Sequence, residues 1–138
     1  MPARDFYHDA IKTALIKEGW VITHDPLFLK YGSTEMYVDL GAESVFAAEK
    51  GTQKIAVEIK SFIGKSELAD FQQALGQYLL YRGILEEVES DRILYLAIRD
   101  RVYLDVFESA VGRLISEKHH LKLIVFDWQE EEIVLWKE

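Results

Sequence analysis

Lys54-Ile55-Ala56-Val57-Glu58-Ile59-Lys60 reads as a β-strand: Ile55, Val57 and Ile59 alternate with Lys54, Ala56, Glu58 and Lys60 at the two-residue period of a half-buried segment. Side chains two positions apart leave a strand on one face, so Glu58 and Lys60 present a carboxylate and an ammonium together. Upstream, Met36-Tyr37-Val38-Asp39-Leu40 is a second β-like run, and it brings a second carboxylate at Asp39. The 18 residues between Asp39 and Glu58 are enough for a hairpin.

Downstream, Ser61 to Lys65 reads as a loop, and Ser66 as the N-cap of a long helix with Glu67 in its first turn. Leu68, Phe71, Leu75 and Leu79 recur at steps of three and four, the expected buried stripe of a helix reaching about Val88. Arg92 to Ile98 is almost continuously apolar, which predicts a strand covered on both faces and central to a sheet. A long helix between two strands is the crossover of a parallel βαβ unit. Val102 to about Lys118 predicts one or two helices with Val111, Leu114 and Ile115 inward, followed by strands over Leu121–Phe126 and Glu132–Lys137.

On the upstream side, Lys50-Gly51-Thr52-Gln53 is a turn that makes Val45–Glu49 and Lys54–Lys60 a hairpin. Residues Arg4 to Glu18 predict an amphipathic helix with Tyr7, Ile11, Ala14 and Leu15 on one face and Gly19 as its stop. Trp20–Thr23 is a short strand, His24-Asp25-Pro26 a turn, and Leu27–Tyr31 fits no single element. The expected architecture is α/β, one mixed sheet flanked by helices, in a single domain over residues 1–138.

Composition narrows the chemistry. The chain has no Cys, which excludes disulfides, thiolate zinc sites and a Cys nucleophile, and no Asn, which excludes N-glycosylation. Its longest apolar run, Ile93 to Ile98, is far too short to span a bilayer, and Arg4, Asp5, Asp9 and Lys12 stand where a signal peptide needs an apolar core; a soluble, cytoplasmic protein without membrane contact is expected. The net charge of −8 counts against extended nucleic-acid binding, which draws on Lys and Arg. A nuclease nevertheless needs few phosphate contacts and brings a cation that offsets its own acids.

As chemistry, an Asp followed by Glu-x-Lys on a later strand is what a metal-dependent phosphodiesterase needs. Asp39 and Glu58 would bind Mg²⁺ or Mn²⁺ through hard oxygen ligands, with the Ile59 backbone carbonyl as a third, while Lys60 positions the attacking hydroxide or holds the phosphate. The bland alternative makes Glu58 and Lys60 the wet face of an edge strand. Other motifs carry less. Gly64-Lys65-Ser66 lacks the glycine a P-loop needs at position 59, and the adjacent His119 and His120 would point to opposite faces of a strand. Tyr78 and Tyr81 fit base stacking and helix packing equally.

Val38-Asp39 followed by Glu58-Ile59-Lys60 is similar to the PD-(D/E)xK motif of restriction-endonuclease-like nucleases, with Val38 where that motif has Pro. The whole chain, from Met1-Pro2-Ala3-Arg4-Asp5-Phe6-Tyr7 through Val38-Asp39-Leu40-Gly41-Ala42-Glu43, Ala56-Val57-Glu58-Ile59-Lys60-Ser61-Phe62 and Ala74-Leu75-Gly76-Gln77-Tyr78, resembles the XisH family of cyanobacteria. That resemblance implies an endonuclease-like fold and an accessory, controlling role in site-specific excision of the fdxN DNA element during heterocyst differentiation. It also implies a separate recombinase and an XisI-type partner protein. Cleavage by this chain does not follow from it, and a non-catalytic module that binds a partner or directs the recombinase stands as the alternative.

Asp9 is the first candidate for a further acid on the first helix, followed by Asp5 and Glu18, although each also reads as a solvated helix charge. Gln73 and Gln77, one turn apart, resemble a pair that some resolvase-type nucleases aim at the site, or are ordinary surface positions. Double-strand cutting of DNA with one site per chain needs two copies, which makes a homodimer the expectation from mechanism.

Overall fold

The computed structural model describes residues 2–36 and 43–138, with side chains placed for 7–34 and 46–138. In chain order the elements are α1 (Pro2–Lys17), β1 (Val21–His24), β2 (Leu29–Tyr31), β3 (Thr34–Met36), β4 (Glu43–Lys50), β5 (Gln53–Lys60) and α2 (Glu67–Val88). Then follow β6 (Arg92–Arg99), α3 (Asp100–Val102) running into a π-helical turn (Tyr103–Phe107), α4 (Ala110–Lys118), β7 (Leu123–Asp127) and β8 (Glu132–Lys137). Six strands form one mixed sheet in the order β1-β4-β5-β6-β7-β8, and β2 with β3 makes a separate antiparallel hairpin.

The alternation in β5 assigns its two faces. Ile55, Val57 and Ile59 pack with Phe46 and Ala48 of β4 under Ala10, Ile11 and Leu15 of α1. Ile11 and Leu15 are fully buried, each contributing roughly 1.5–3 kcal/mol relative to exposure. On the other face Ala47, Ala56, Leu94, Leu96 and Ile98 meet Phe71, Ala74, Tyr78, Tyr81 and Leu85 of α2. β5 runs antiparallel to β4 and parallel to β6, so the βαβ crossover expected from the long helix is present, and β6 is parallel to β7 as well. Gly51, at φ +61°, lets the β4–β5 turn close in a conformation that a side chain would resist.

At the opposite end of β6 the Arg92 side chain, only 2% exposed, binds three segments. Its Nε donates to Glu89 (2.9 Å) after α2, Nη1 to the Ile55 carbonyl (3.1 Å) in β5, and Nη2 to Glu49 (3.3 Å) in β4. A buried guanidinium is tolerated where its donors are matched in this way.

Several expectations are corrected. The buried stripe of α2 is Phe71, Ala74, Tyr78, Tyr81, Ile84 and Leu85, while Leu68 is 60% exposed and Leu75 and Leu79 only flank the core. Tyr78 tolerates full burial because its hydroxyl donates to the Leu94 carbonyl (3.1 Å) and accepts from the Lys122 amide (3.1 Å), so packing rather than base stacking occupies it and Tyr81. In α4 the inward residues are Gly112 and Ser116, with Val111 and Leu114 exposed and Ile115 partly buried. Gly112 is there because a Cβ would stand 2.1 Å from the Val106 carbonyl oxygen. Residues Leu29–Tyr31, ambiguous by pattern, pair with Thr34–Met36. The strand expected over Met36–Leu40 is described only at Met36; its remainder, with Asp39, lies outside the described residues.

Candidate active site

β5 lies between β4 and β6, so Glu58 and Lys60 are not on the wet face of an edge strand. Glu58 is 0% and Lys60 5% exposed, and both share the face of Ala56, beneath α2. The sequence places them there because Glu58 stands opposite Leu96 of β6 and Val45 of β4, in the stretch of strand that α2 must return over. α2 begins where the Ser66 hydroxyl accepts the Ala69 amide (3.1 Å), and its second turn carries Gln73 back to β5. There Lys60 Nζ donates to Gln73 Oε1 at 2.9 Å. Burial raises the Tyr78 phenol above its ordinary range, with a smaller upward push from Glu58.

The chain leaving Lys60 is held on both faces. Arg99 Nη2 donates to the Ser61 carbonyl at 2.9 Å from the α1 side, and Phe62 turns into the α2-side core against Phe107. Between these anchors Phe62 takes φ +55°, a left-handed conformation that a bulky residue adopts only when its surroundings impose it. The next turn is closed by Asp70, whose carboxylate accepts the Gly64 amide (3.0 Å).

Of the expected site residues, the structure unites Glu58, Lys60 and Gln73. Asp39 lies outside the described residues, as do the side chains of Asp5 and the rest of the chain before Tyr7. Asp9 is exposed on α1, whose apolar side covers the face away from Glu58 and Lys60, and among the described residues no hydrogen bond or ion pair joins it to them. Glu18 instead accepts from Trp136 Nε1 (3.0 Å). Gln77 has its Oε1 buried without a hydrogen-bond partner among the described residues. Ile59 is paired in register with Ser44 and Ala97, its side chain on the α1 side. Among the described residues no group of three or more His, Asp or Glu side chains could hold a metal ion.

Pattern reading passed over Arg99 and Ser61. The signal was present: Arg99 is the first charge after an apolar run, at the carboxyl end of a strand parallel to β5, where open α/β sheets build their sites.

These features define a class: an α/β protein whose mixed sheet carries a buried Glu-x-Lys pair at the carboxyl end of an interior strand, held by the crossover helix. Its family is defined by comparison. The model of the XisH protein family matches residues 1–134, and the chain belongs to the XisH family. It is similar to the crystal structure of an fdxN element excision controlling factor protein from Anabaena variabilis, with 40% identity, a TM-score of 0.89, and 97% of this chain and 99% of that one covered. It is also similar to an XisH family protein from Nostoc punctiforme, with 34% identity, a TM-score of 0.89, and 96% and 99% covered. A comparison with curated proteins finds no match.

Proposed function

We propose that this chain is a restriction-endonuclease-like, divalent-cation-dependent nuclease subunit that nicks or cleaves DNA in the excision of a DNA element, the process named for its Anabaena variabilis relative. The supporting observation is the joint burial of Glu58 and Lys60 on one face of an interior strand, with Lys60 held by Gln73. Enclosing an acid and an amine is costly, and functional sites are where such enclosed ionisable groups concentrate.

Glu58 is the hard oxygen donor that Mg²⁺ or Mn²⁺ prefers, and low-dielectric surroundings strengthen its hold. Asp39 is the intended second donor. It precedes Glu43, the register partner of Lys60, by four residues in the sequence. A bound cation would supply Lewis acidity and an activated water. Lys60, steered by Gln73, holds the scissile phosphate or the attacking oxygen in place.

Plasmid and branched DNA incubated with the pure protein and Mg²⁺ or Mn²⁺, with and without an XisI-type partner, test the reading. Cutting that disappears in Glu58→Ala and Lys60→Ala variants that remain folded supports it; absence of cutting on every DNA form removes it. A second reading draws on the net charge of −8: a non-catalytic module that docks a partner protein or directs a recombinase. Under it, excision survives Glu58→Ala.

A further inference from the structure

Arg99 is a partly buried guanidinium with no ion pair among the described residues. Its contacts are the Ser61 carbonyl (2.9 Å) and the face of Tyr7, 4.8 Å from the ring centroid, and Tyr7 is itself braced edge-on by Trp128. Among the described residues Arg99 has no ion pair, and its Nε is buried with no acceptor. Three described acids at the same end of the sheet are engaged elsewhere. Asp100 accepts the Arg101 amide (2.8 Å), Asp127 those of Gln129 (3.0 Å) and Glu130 (3.2 Å), and Asp25 is held by His8 and Lys12. Ser61, 2% exposed and tied to Arg99 through its carbonyl, has an Oγ that is likewise buried without a partner.

Partial burial of a cation is costly, and the buried Arg99 Nε and Ser61 Oγ, with no partner among the described residues, add to that cost. An oxyanion would satisfy these donors, and a guanidinium fork is its best-shaped receptor. Arg99 lies at the carboxyl end of β6, the strand beside β5, on the sheet face opposite Lys60. We propose that Arg99, supported by Ser61 and the Tyr7 ring, is a phosphate-binding position that grips the sugar-phosphate backbone of nucleic acid at the same end of the sheet as the Glu58–Lys60 site. The choice of nucleic acid rests on the nuclease reading; the oxyanion site itself does not.

The test is made in EDTA, where no cation-dependent cutting occurs. Inorganic phosphate should raise the melting temperature of wild type and Glu58→Gln alike, and that of Arg99→Gln by far less, with Arg99→Lys between. Labelled duplex DNA followed by anisotropy should bind Arg99→Gln roughly tenfold more weakly, with the salt slope reduced by about 1. A phosphate response without a change in DNA binding would make the ligand a free phosphate and overturn the nucleic-acid assignment. An undiminished phosphate response in Arg99→Gln would overturn the site. If that variant does not fold, crystals of wild type grown with sulfate decide: an oxyanion on Arg99 supports the site, and oxyanions bound only elsewhere refute it. Loss of the Mn²⁺ response in Glu58→Gln, read in a separate titration without EDTA, with phosphate binding intact shows that the two sites stand or fall separately.

Discussion

Replacing Glu58 by Gln removes a charge while leaving the shape of the side chain nearly unchanged, so it isolates the cation from the packing. Glu58 has no solvent exposure, and any ion it holds is bound by the folded state alone. A ligand present at a hundred times its dissociation constant then stabilises by about 2.7 kcal/mol. For a chain of 138 residues the unfolding entropy is about 0.29 kcal/mol/K, so saturating Mn²⁺ should raise the melting temperature of wild type by roughly 9 °C. Glu58→Gln should show almost none of that rise, whatever its melting temperature in EDTA. Differential scanning calorimetry against a Mn²⁺ titration, with Ca²⁺ and added salt as controls, reads both. Equal rises in wild type and variant would place the cation elsewhere, and no rise in wild type at millimolar Mn²⁺ would remove it from the mechanism.

Gly112→Ala should cost about 1–3 kcal/mol, read as a melting drop of roughly 3–10 °C, because the added methyl meets the backbone of Val106 and Phe107; an unchanged melting temperature would contradict that close approach. Burial pushes the Asp25 carboxyl up, but hydrogen bonds from Lys12 and His8 outweigh it and leave the pKa below its ordinary 3.8. The contribution of Asp25 is therefore present above pH 3.8 and lost as pH falls through the lowered value, so Asp25→Asn should be less stable than wild type at pH 6, with the gap closing under acid. Burial, and then the Glu138 carboxylate, push the Tyr95 phenol from 10.0 up to about 12. That stabilisation is complete below pH 10 and lost as pH rises toward 12; Tyr95→Phe should lose less stability than wild type across this window, and parallel alkaline melting curves would refute it.

The sheet was readable wherever a strand carried a long apolar or alternating run, as in β5 and β6, because burial on one or both faces writes itself directly into residue type. The helices were readable in extent but not in facing. In α2 the leucines carry the helical period, yet the core takes mainly aromatic and small residues, since Tyr78 finds partners for its hydroxyl that no local pattern announces. In α4 the inner face is Gly112 and Ser116 because a neighbouring turn approaches too closely for anything larger, a tertiary fact. Three-residue strands such as β2 and β3 carry too few positions to show a period. At the site, alternation correctly set Glu58 and Lys60 side by side, and Gln73 was among the candidates. That the pair is enclosed rather than wetted, and that Arg99 stands behind it, depends on strand order, which sequence spacing alone does not encode.

Arg92 has a consequence for how the molecule comes apart. Its one side chain ties the β4–β5 hairpin to the end of the crossover helix, so neither can peel away without stranding a guanidinium in the interior. Glu49 and Glu89, remote in sequence, therefore share a thermodynamic fate: the effects of their substitutions are coupled rather than additive. Hydrogen exchange at the hairpin and at the last turn of α2 should therefore follow one common opening event.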